Sequence, residues 1–488
     1  MDNATLRRFV YGLLITVTAG ILTARIVGVE RVFEPSTPNP AVWPKERPEA
    51  FPTFSSNDRS RWSAIRALVE NGTFVVGKRV KDPTAENGSR IVDGQRIKDP
   101  NAKKGYYDEG IAFQEGYKSV DYVKHPQTDE FYSTKPPLFT VIVAGEYWLL
   151  NKALGWSFKD SRDRWPIVCT ILITFNVIPF IIVLVLLANL LEEYGRSDWG
   201  RLFVFACACF GTFLTTFAVT LNNHTPAACC AMLAIYPLLN GRSIDWSRPF
   251  TPFEMLISGL FAGLAACFDL PAAVLPALIG LTILLRGGRG LIWFILAAAI
   301  PVAALAYINH ATFDSVVPVY SKKETEWYKY EGSHWSKTEG KGIDFANEPK
   351  EVYALHMTVG HHGVFSLTPI WLLALAGMIG GVSAGSGSRR AMSAIALVAT
   401  VIVVSFYIGK TNNYEGWTSG PRWQFWLIPL FLLAMLPFAD GIGQSRGGRT
   451  FAYLLLAVSV FSAVYPVWNP WRHPWIYNMC EYMGWLKY

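Results

Sequence analysis

The chain predicts an all-α bundle that crosses a membrane many times, and three observations predict it. Half of its residues are apolar (51%) and 14% are aromatic. Apolar runs close to the ~20 residues that span a hydrocarbon layer recur along most of its length. Arginines mark every second short connection between those runs. Length alone would give about three soluble domains, and with this composition a single polytopic bundle is the better expectation.

The first apolar run, 9–27, follows Arg7-Arg8 and lacks a small-residue cleavage site, so 1–27 reads as a retained signal-anchor with a cytoplasmic N-terminus. The polar stretch 28–164 then forms a first extracytoplasmic loop. Its opening, 35–52, is proline-rich and reads as extended chain. Residues 58–71 read as a helix closed by Gly72. On a helical wheel Trp62, Ile65, Leu68 and Val69 share one side, and Asp58 projects there too. An interfacial helix would hold Asp58 over the bilayer; equally, Asp58 would serve as a helix cap. Short strands and turns are expected over 74–105, where Arg79-Val80-Lys81-Asp82-Pro83 recurs as Arg96-Ile97-Lys98-Asp99-Pro100. Two copies suggest the paired strands of a small β hairpin.

The run 138–154 is apolar but short, and it contains Glu146 and Lys152. Pro136 and Pro137 precede it, where a first helical turn tolerates proline. Charge placement decides its course. If it lies at the interface without crossing, the spans become 165–191, 202–221, 226–239, 253–270, 271–285, 291–308, 364–379, 391–408, 423–437 and 451–467, about eleven with the first. Arg196 and Arg201, Arg242 and Arg248, Arg286 and Arg289, Arg389 and Arg390, and Arg446 and Arg449 then all fall on the cytoplasmic side. The chain divides accordingly into the anchor (1–27), the first loop with interfacial helices (28–164), a core module (165–309), a second large loop (310–363), C-terminal helices (364–467) and an aromatic tail (468–488).

The opposite face gathers the first loop, Asn222-Asn223-His224, Asp269, the stretch 309–362, the loop 409–422 and the tail. The formal charge of +7 is spread over loops without a long basic run. This argues against a nucleic-acid partner and suits membrane lipid or phosphate. Six of the seven cysteines sit in apolar runs and no CxxC pair occurs, so they read as small core residues.

Ser133-Thr134-Lys135-Pro136-Pro137-Leu138 is the stretch richest in chemistry. Its prolines fix the backbone, so Lys135 is held where it can meet a lipid phosphate as a point charge. Taken alone, the plainer reading is a membrane-anchoring lysine. Tyr132 beside it and His362 are candidates for substrate contact. His356, His361 and His362 lack the spacing of a helical zinc pair. The aromatics of 320–330 read as interfacial belt residues.

Taken together, Asn57-Asp58-Arg59-Ser60-Arg61-Trp62, Arg66-Ala67-Leu68-Val69-Glu70 with Gly72-Thr73, the Lys135-Pro136-Pro137 stretch, Arg164-Trp165-Pro166 and Gly416-Trp417-Thr418-Ser419-Gly420-Pro421-Arg422 resemble the GT-C superfamily. The likeness is to the branch holding the dolichyl-phosphate-mannose protein mannosyltransferases and the lipid A aminoarabinose transferases. It covers the chain well to about residue 270. It implies a GT-C type bundle and an inverting glycosyltransferase of the plasma or inner membrane. Such an enzyme moves a sugar from a polyprenyl-phosphate donor to a lipid, glycan or protein acceptor on the extracytoplasmic face. By resemblance Asp58 is the general base. Lys135, helped by Arg422 and Arg164, offsets charge on the departing phosphate. Where many relatives carry a second acid this chain has Asn222, Asn223 and His224, which suit sugar hydroxyls. No metal ligands are therefore assigned, a divalent cation stays open, and so does whether Asp269 substitutes spatially for the missing acid. Two rivals stand beside this. A transporter or flippase would need mid-membrane ionisable groups and repeated halves, which the sequence lacks. An inactive scaffold would keep the fold without the chemistry.

Overall fold

The structure, a computed structural model, describes residues 2–29, 52–336, 342–346, 348–467 and 469–486. The proline-rich stretch at 35–52 lies outside the described residues but for its last proline, as does Trp468 at the start of the tail. The chain is mainly helical. Among the described residues seven helices are long and apolar enough to cross a membrane: Asn3–Gly28, Ser161–Tyr194, Asp198–Phe217, Leu291–Phe313, Gly387–Lys410, Arg422–Ile442 and Arg446–Val464. Four shorter apolar helices accompany them: His224–Leu239, Pro252–Phe268, Leu270–Leu285 and Trp371–Ala384. The Pro137–Leu154 helix belongs to neither set. Within the expected run 364–379 the helix breaks at Thr368, whose backbone is non-helical before Pro369.

The chain folds as two compact units: Met1–Ile26, Ile173–Ala304 and Glu339–Tyr488 form one, and Val27–Leu172 with Leu305–Thr338 form the other.

In the first unit the arginine-bearing loops share one end, joined by hydrogen bonds. Arg7 pairs with Glu192 and Asp198. The Glu193 carboxylate accepts from the backbone of Gly241, Arg242 and Ser243. Asp440 accepts from the backbone of Arg196 and Ser197. Several of these arginines also donate to carbonyls at helix C-termini: Arg201 to Leu191 and Gly195, Arg389 to Tyr194, Arg242 to Pro237, and Arg449 to Gly443. The other end gathers the polar residues, with Arg25 bonded to the carbonyls of Thr215 and Val467. There too, Ser419 N–H donates to the Pro470 carbonyl.

The second unit is built on a sheet. Among its described residues seven strands occur, β1 (Gly77–Lys81), β2 (Ser89–Val92), β3 (Gln95–Lys98), β4 (Ala102–Lys103), β5 (Tyr106–Glu109), β6 (Tyr122–Lys124) and β7 (Glu130–Ser133). Five make an antiparallel sheet in the order β4-β5-β1-β7-β6, and β2 pairs with β3 apart from it. The two sequence echoes are therefore not hairpin partners: 79–81 lies in the middle of the large sheet and 96–98 in the separate hairpin. Central position suits the first copy. Arg79 pairs with Asp108 across the β1–β5 register and stacks on Tyr106. The chain beside β1 passes so close that a Cβ on Gly77 would lie 2.6 Å from the Glu109 carbonyl oxygen. Gly110, at φ +108°, makes the other half of that approach.

The Ser56–Asn71 helix also departs from expectation. It ends at Gly72 in the left-handed conformation, but it has no wet face along its first three turns. Residues 60–67 are all buried, Arg61 and Ser63 among them. Its polar groups are matched inside the unit: Ser60 to the Asp121 carbonyl, Ser63 to the Tyr122 hydroxyl, and Arg66 to Glu70 and Gln114. Burial of polar side chains is affordable when each finds such a partner.

Candidate functional site

Lys135 and Asp58 both lie in the second unit. Lys135 follows β7, and Pro136 and Pro137 start the Pro137–Leu154 helix. Its ammonium group sits 3.0 Å from the Asp121 carboxylate, with the two side chains 11% and 14% exposed. The same Asp121 presents its carbonyl to the Ser60 hydroxyl (2.7 Å) and to the backbone and hydroxyl of Thr134. Ser60 and Ser133 share a further hydrogen bond of 2.7 Å. The helix that carries Asp58 and the turn that carries Lys135 are thereby tied through one residue. Beside Lys135 is a cavity of about 10 Å³, lined also by the buried hydroxyls of Thr140 and Thr312, which have no partner among the described residues.

Asp58 is the third residue of its helix and closes a capping box with Ser55. Its two oxygens accept from the backbone N–H groups of Phe54 (2.9 Å) and Ser55 (2.7 Å). The side chain is 1% exposed. Burial pushes its carboxyl above the usual range, and these two N–H groups and Arg59 hold it back only in part. The cap that the sequence offered as the alternative is thus present, on a carboxylate that has raised proton affinity. Tyr132 donates to Glu130 and packs in an aromatic cluster with Phe313, Tyr320 and Tyr328. Arg164 donates to the Phe158 carbonyl.

The remaining candidates lie in the first unit, at its polar end. His224 opens the His224–Leu239 helix, with one ring nitrogen 2.8 Å from Asp269 and the other 3.1 Å from Arg422. Arg422 also donates to the Glu415 carbonyl (2.8 Å) and lies over the Trp471 ring. Asn222 and Asn223 spend their amide N–H groups on backbone carbonyls of Phe217, Thr220 and Phe268, and Asn222 accepts from Thr225 N–H. Their local work is to fix the turn before His224. His362 stacks on Tyr414 and sits among His361, His473 and Tyr477. Burial drives His361 down to about 3 and His473 to about 4, so this group is uncharged at neutral pH.

Sequence reasoning missed Asp121, Glu415 and His473. Nothing local marks Asp121, which gains its place from tertiary packing. Glu415 had a weak signal in the turn-rich loop before Arg422. Tyr414 and Glu415 both hold positive φ (+49° and +68°), which is uncommon away from glycine. One Glu415 oxygen accepts from Trp423 N–H at 2.7 Å, and the residue is 2% exposed. Burial raises this carboxyl to about 8.

Among the described residues no group of three or more His, Cys, Asp or Glu is placed to hold a metal ion. No family model matches the chain, and no curated protein matches it. Solved structures of the oligosaccharyltransferase AglB from Archaeoglobus fulgidus do. The form tethered to an acceptor peptide aligns with 97% of this chain and 57% of its own at 12% identity and a TM-score of 0.48. The form with an inhibitory peptide and a dolichol-phosphate aligns with 98% and 58% at 12% identity and a TM-score of 0.45. The chain thus spans under three fifths of the length of the solved chains it is similar to.

Proposed function

We propose that this multi-pass membrane protein is an inverting GT-C type glycosyltransferase, which moves a sugar from a polyprenyl-phosphate donor to a lipid, glycan or protein acceptor at the extracytoplasmic surface. The observation that carries the proposal is Lys135. A lysine fixed by two prolines and held in a shielded ion pair with Asp121 suits a phosphate that becomes a leaving group. In the reaction a bond forms between the acceptor oxygen and the sugar C1, and the bond from C1 to the phosphate oxygen breaks. The acceptor proton passes to a carboxylate, and the electron pair leaves with the phosphate.

Lys135, with Arg164 in the same unit, would offset the phosphate charge. Asp58 is the proposed base, because burial raises its proton affinity toward the range a base needs. To act it gives up one of its two amide hydrogen bonds. Asp121 is the second carboxylate that the geometry adds. In the first unit Arg422 is proposed for the donor phosphate, and His224, Asn222, Asn223 and His362 for sugar contacts.

The test is to purify the full chain and its Asp58→Asn variant with native lipids and identify what is bound by mass spectrometry. A polyprenyl-phosphate sugar held by the variant and depleted from the wild type is the expected result, and it names the sugar. Absence of such a lipid from both, with no binding of added donor, would sink the proposal. Transfer assayed with and without a chelator reports whether a divalent cation takes part.

A further inference from the structure

The arginine-bearing end of the first unit encloses a cavity of about 490 Å³, within the ~300–1,000 Å³ typical of ligand sites. None of the proposed glycosyl chemistry lies there. Two guanidinium groups line it. Arg196 has its backbone fixed by Asp440, while its exposed side chain makes no hydrogen bond or ion pair with a described residue. Arg389 is steadied by one hydrogen bond to the Tyr194 carbonyl (2.9 Å), and no described carboxylate pairs with it. Asp440 is the one carboxylate among the described lining residues. Its oxygens accept from Arg196 N–H, Ser197 N–H and the Ser197 hydroxyl. It is 5% exposed, turned to the start of the Asp198–Phe210 helix. The cavity therefore presents two cations against an anion already engaged.

Beyond Tyr194 and Gln444 the rest of the wall is small or apolar. It comprises one face of the Trp371–Ala384 helix, including Gly377, Gly380 and Gly381, and Phe438 on the neighbouring helix. Gly377 and Gly381 are filled by packing: a Cβ there would lie 1.9 Å from the Ala434 carbonyl oxygen and 2.0 Å from the Ser393 hydroxyl. Gly380 differs, with nothing within 4 Å of its Cβ position. Phe438, which lines the cavity with it, is 37% exposed. Phe438 lies on one of the seven long apolar helices, and Trp371–Ala384 is one of the four shorter apolar ones. Cations at the ends of apolar helices, opening onto an apolar groove, match one amphiphile.

We infer that this cavity binds an anionic glycerophospholipid, its phosphate between Arg196 and Arg389 and an acyl chain along the Gly380 groove. Guanidinium groups grip phosphate through paired N–H donors, and an anionic leaflet supplies the ligand at high local concentration.

The test uses the full chain, delipidated in detergent and titrated with dioleoyl phosphatidylglycerol, bound lipid being counted by native mass spectrometry. One tightly held molecule is expected, with dioleoyl phosphatidylcholine at least about tenfold weaker. Arg196→Gln with Arg389→Gln should weaken phosphatidylglycerol by about tenfold or more. Gly380→Leu, which adds a side chain into open space without backbone strain, should do the same by blocking the groove. Arg446→Gln, at the same end but off the cavity wall, should leave binding unchanged. The proposal falls if Arg446→Gln matches the cavity variants, since surface charge alone would then explain binding. It falls equally if the cavity variants bind like wild type, or if glycerol 3-phosphate competes as well as the lipid.

Discussion

Replacing Lys135 by methionine separates what the ion pair does for the fold from what it does for a donor. At 3.0 Å and an effective dielectric of ~20, two unit charges attract by about 5.5 kcal/mol. Desolvation offsets much of this, since the side chains are only 11% and 14% exposed. The net worth of the pair is small, but removing one member strands the other. For buried pairs that costs about 3–5 kcal/mol, and residual solvent access puts Lys135→Met near the lower bound, at about 3 kcal/mol. Lys135→Met with Asp121→Asn leaves no stranded charge and should cost only about 1 kcal/mol. The double variant is therefore expected to be about 2 kcal/mol more stable than Lys135→Met. Thermal unfolding of the four proteins in detergent measures it, and donor binding is read on the same samples. The double variant should regain most of the lost stability while binding donor no better than Lys135→Met. Equal instability of the double variant and Lys135→Met would refute the pairing. Full donor binding by the double variant would refute the phosphate role.

Three further outcomes are expected. Glu415 keeps its proton in the folded chain up to about 8, whereas the unfolded chain loses it near ~4.3. Through that window the folded state binds more protons, so stability falls as pH rises, by up to ~1.4 kcal/mol per unit. Glu415→Gln should therefore match wild type near pH 5 and exceed it at pH 8, and a melting difference independent of pH would count against the assignment. Asp58→Asn retains one capping acceptor and should cost about 1 kcal/mol or less while lowering transfer ~10²–10⁴-fold; loss of activity only in proportion to folded protein would leave Asp58 a cap and nothing more. Gly77→Ala forces a methyl group against the Glu109 carbonyl and the Phe113 ring. It should destabilise the sheet by about 1–3 kcal/mol, visible as faster proteolysis of the second unit.

Helices proved far more legible than the site. Apolar run length located the helical segments, because it follows from how each residue partitions at a membrane. Boundaries shifted by several residues, as where 451–467 became Arg446–Val464, and a local breaker split one run at Thr368-Pro369. The wheel drawn for 58–71 went wrong for a different reason. Periodicity reports one preferred face, yet here the sheet and the 119–134 chain supply polar partners to Ser60, Ser63 and Arg66, so the polar side is buried as well. The strand echo misled because similar strands need not be neighbours; register, not likeness, chooses the partner. Lys135 could be singled out from its prolines, which act locally. Asp121, fourteen residues earlier, could not, since only folding brings its carboxylate to the ammonium group. The same holds for His224, Asp269 and Arg422, which meet across 198 residues of chain.

The arginines at one end of the first unit carry two duties that ordinarily go undistinguished. For insertion, any cation serves, since the orientation rule counts lysine and arginine alike. For the folded helices, Arg201, Arg242, Arg389 and Arg449 act as stoppers on carbonyls at helix C-terminal ends. Arg201 reaches two of them with one planar fork, a geometry that an ammonium group does not reproduce. Wholesale exchange of these four for lysine would thus yield a chain threaded the right way round whose helices fray at that end. Orientation and folding, normally scored together as correct assembly, would come apart in a single molecule.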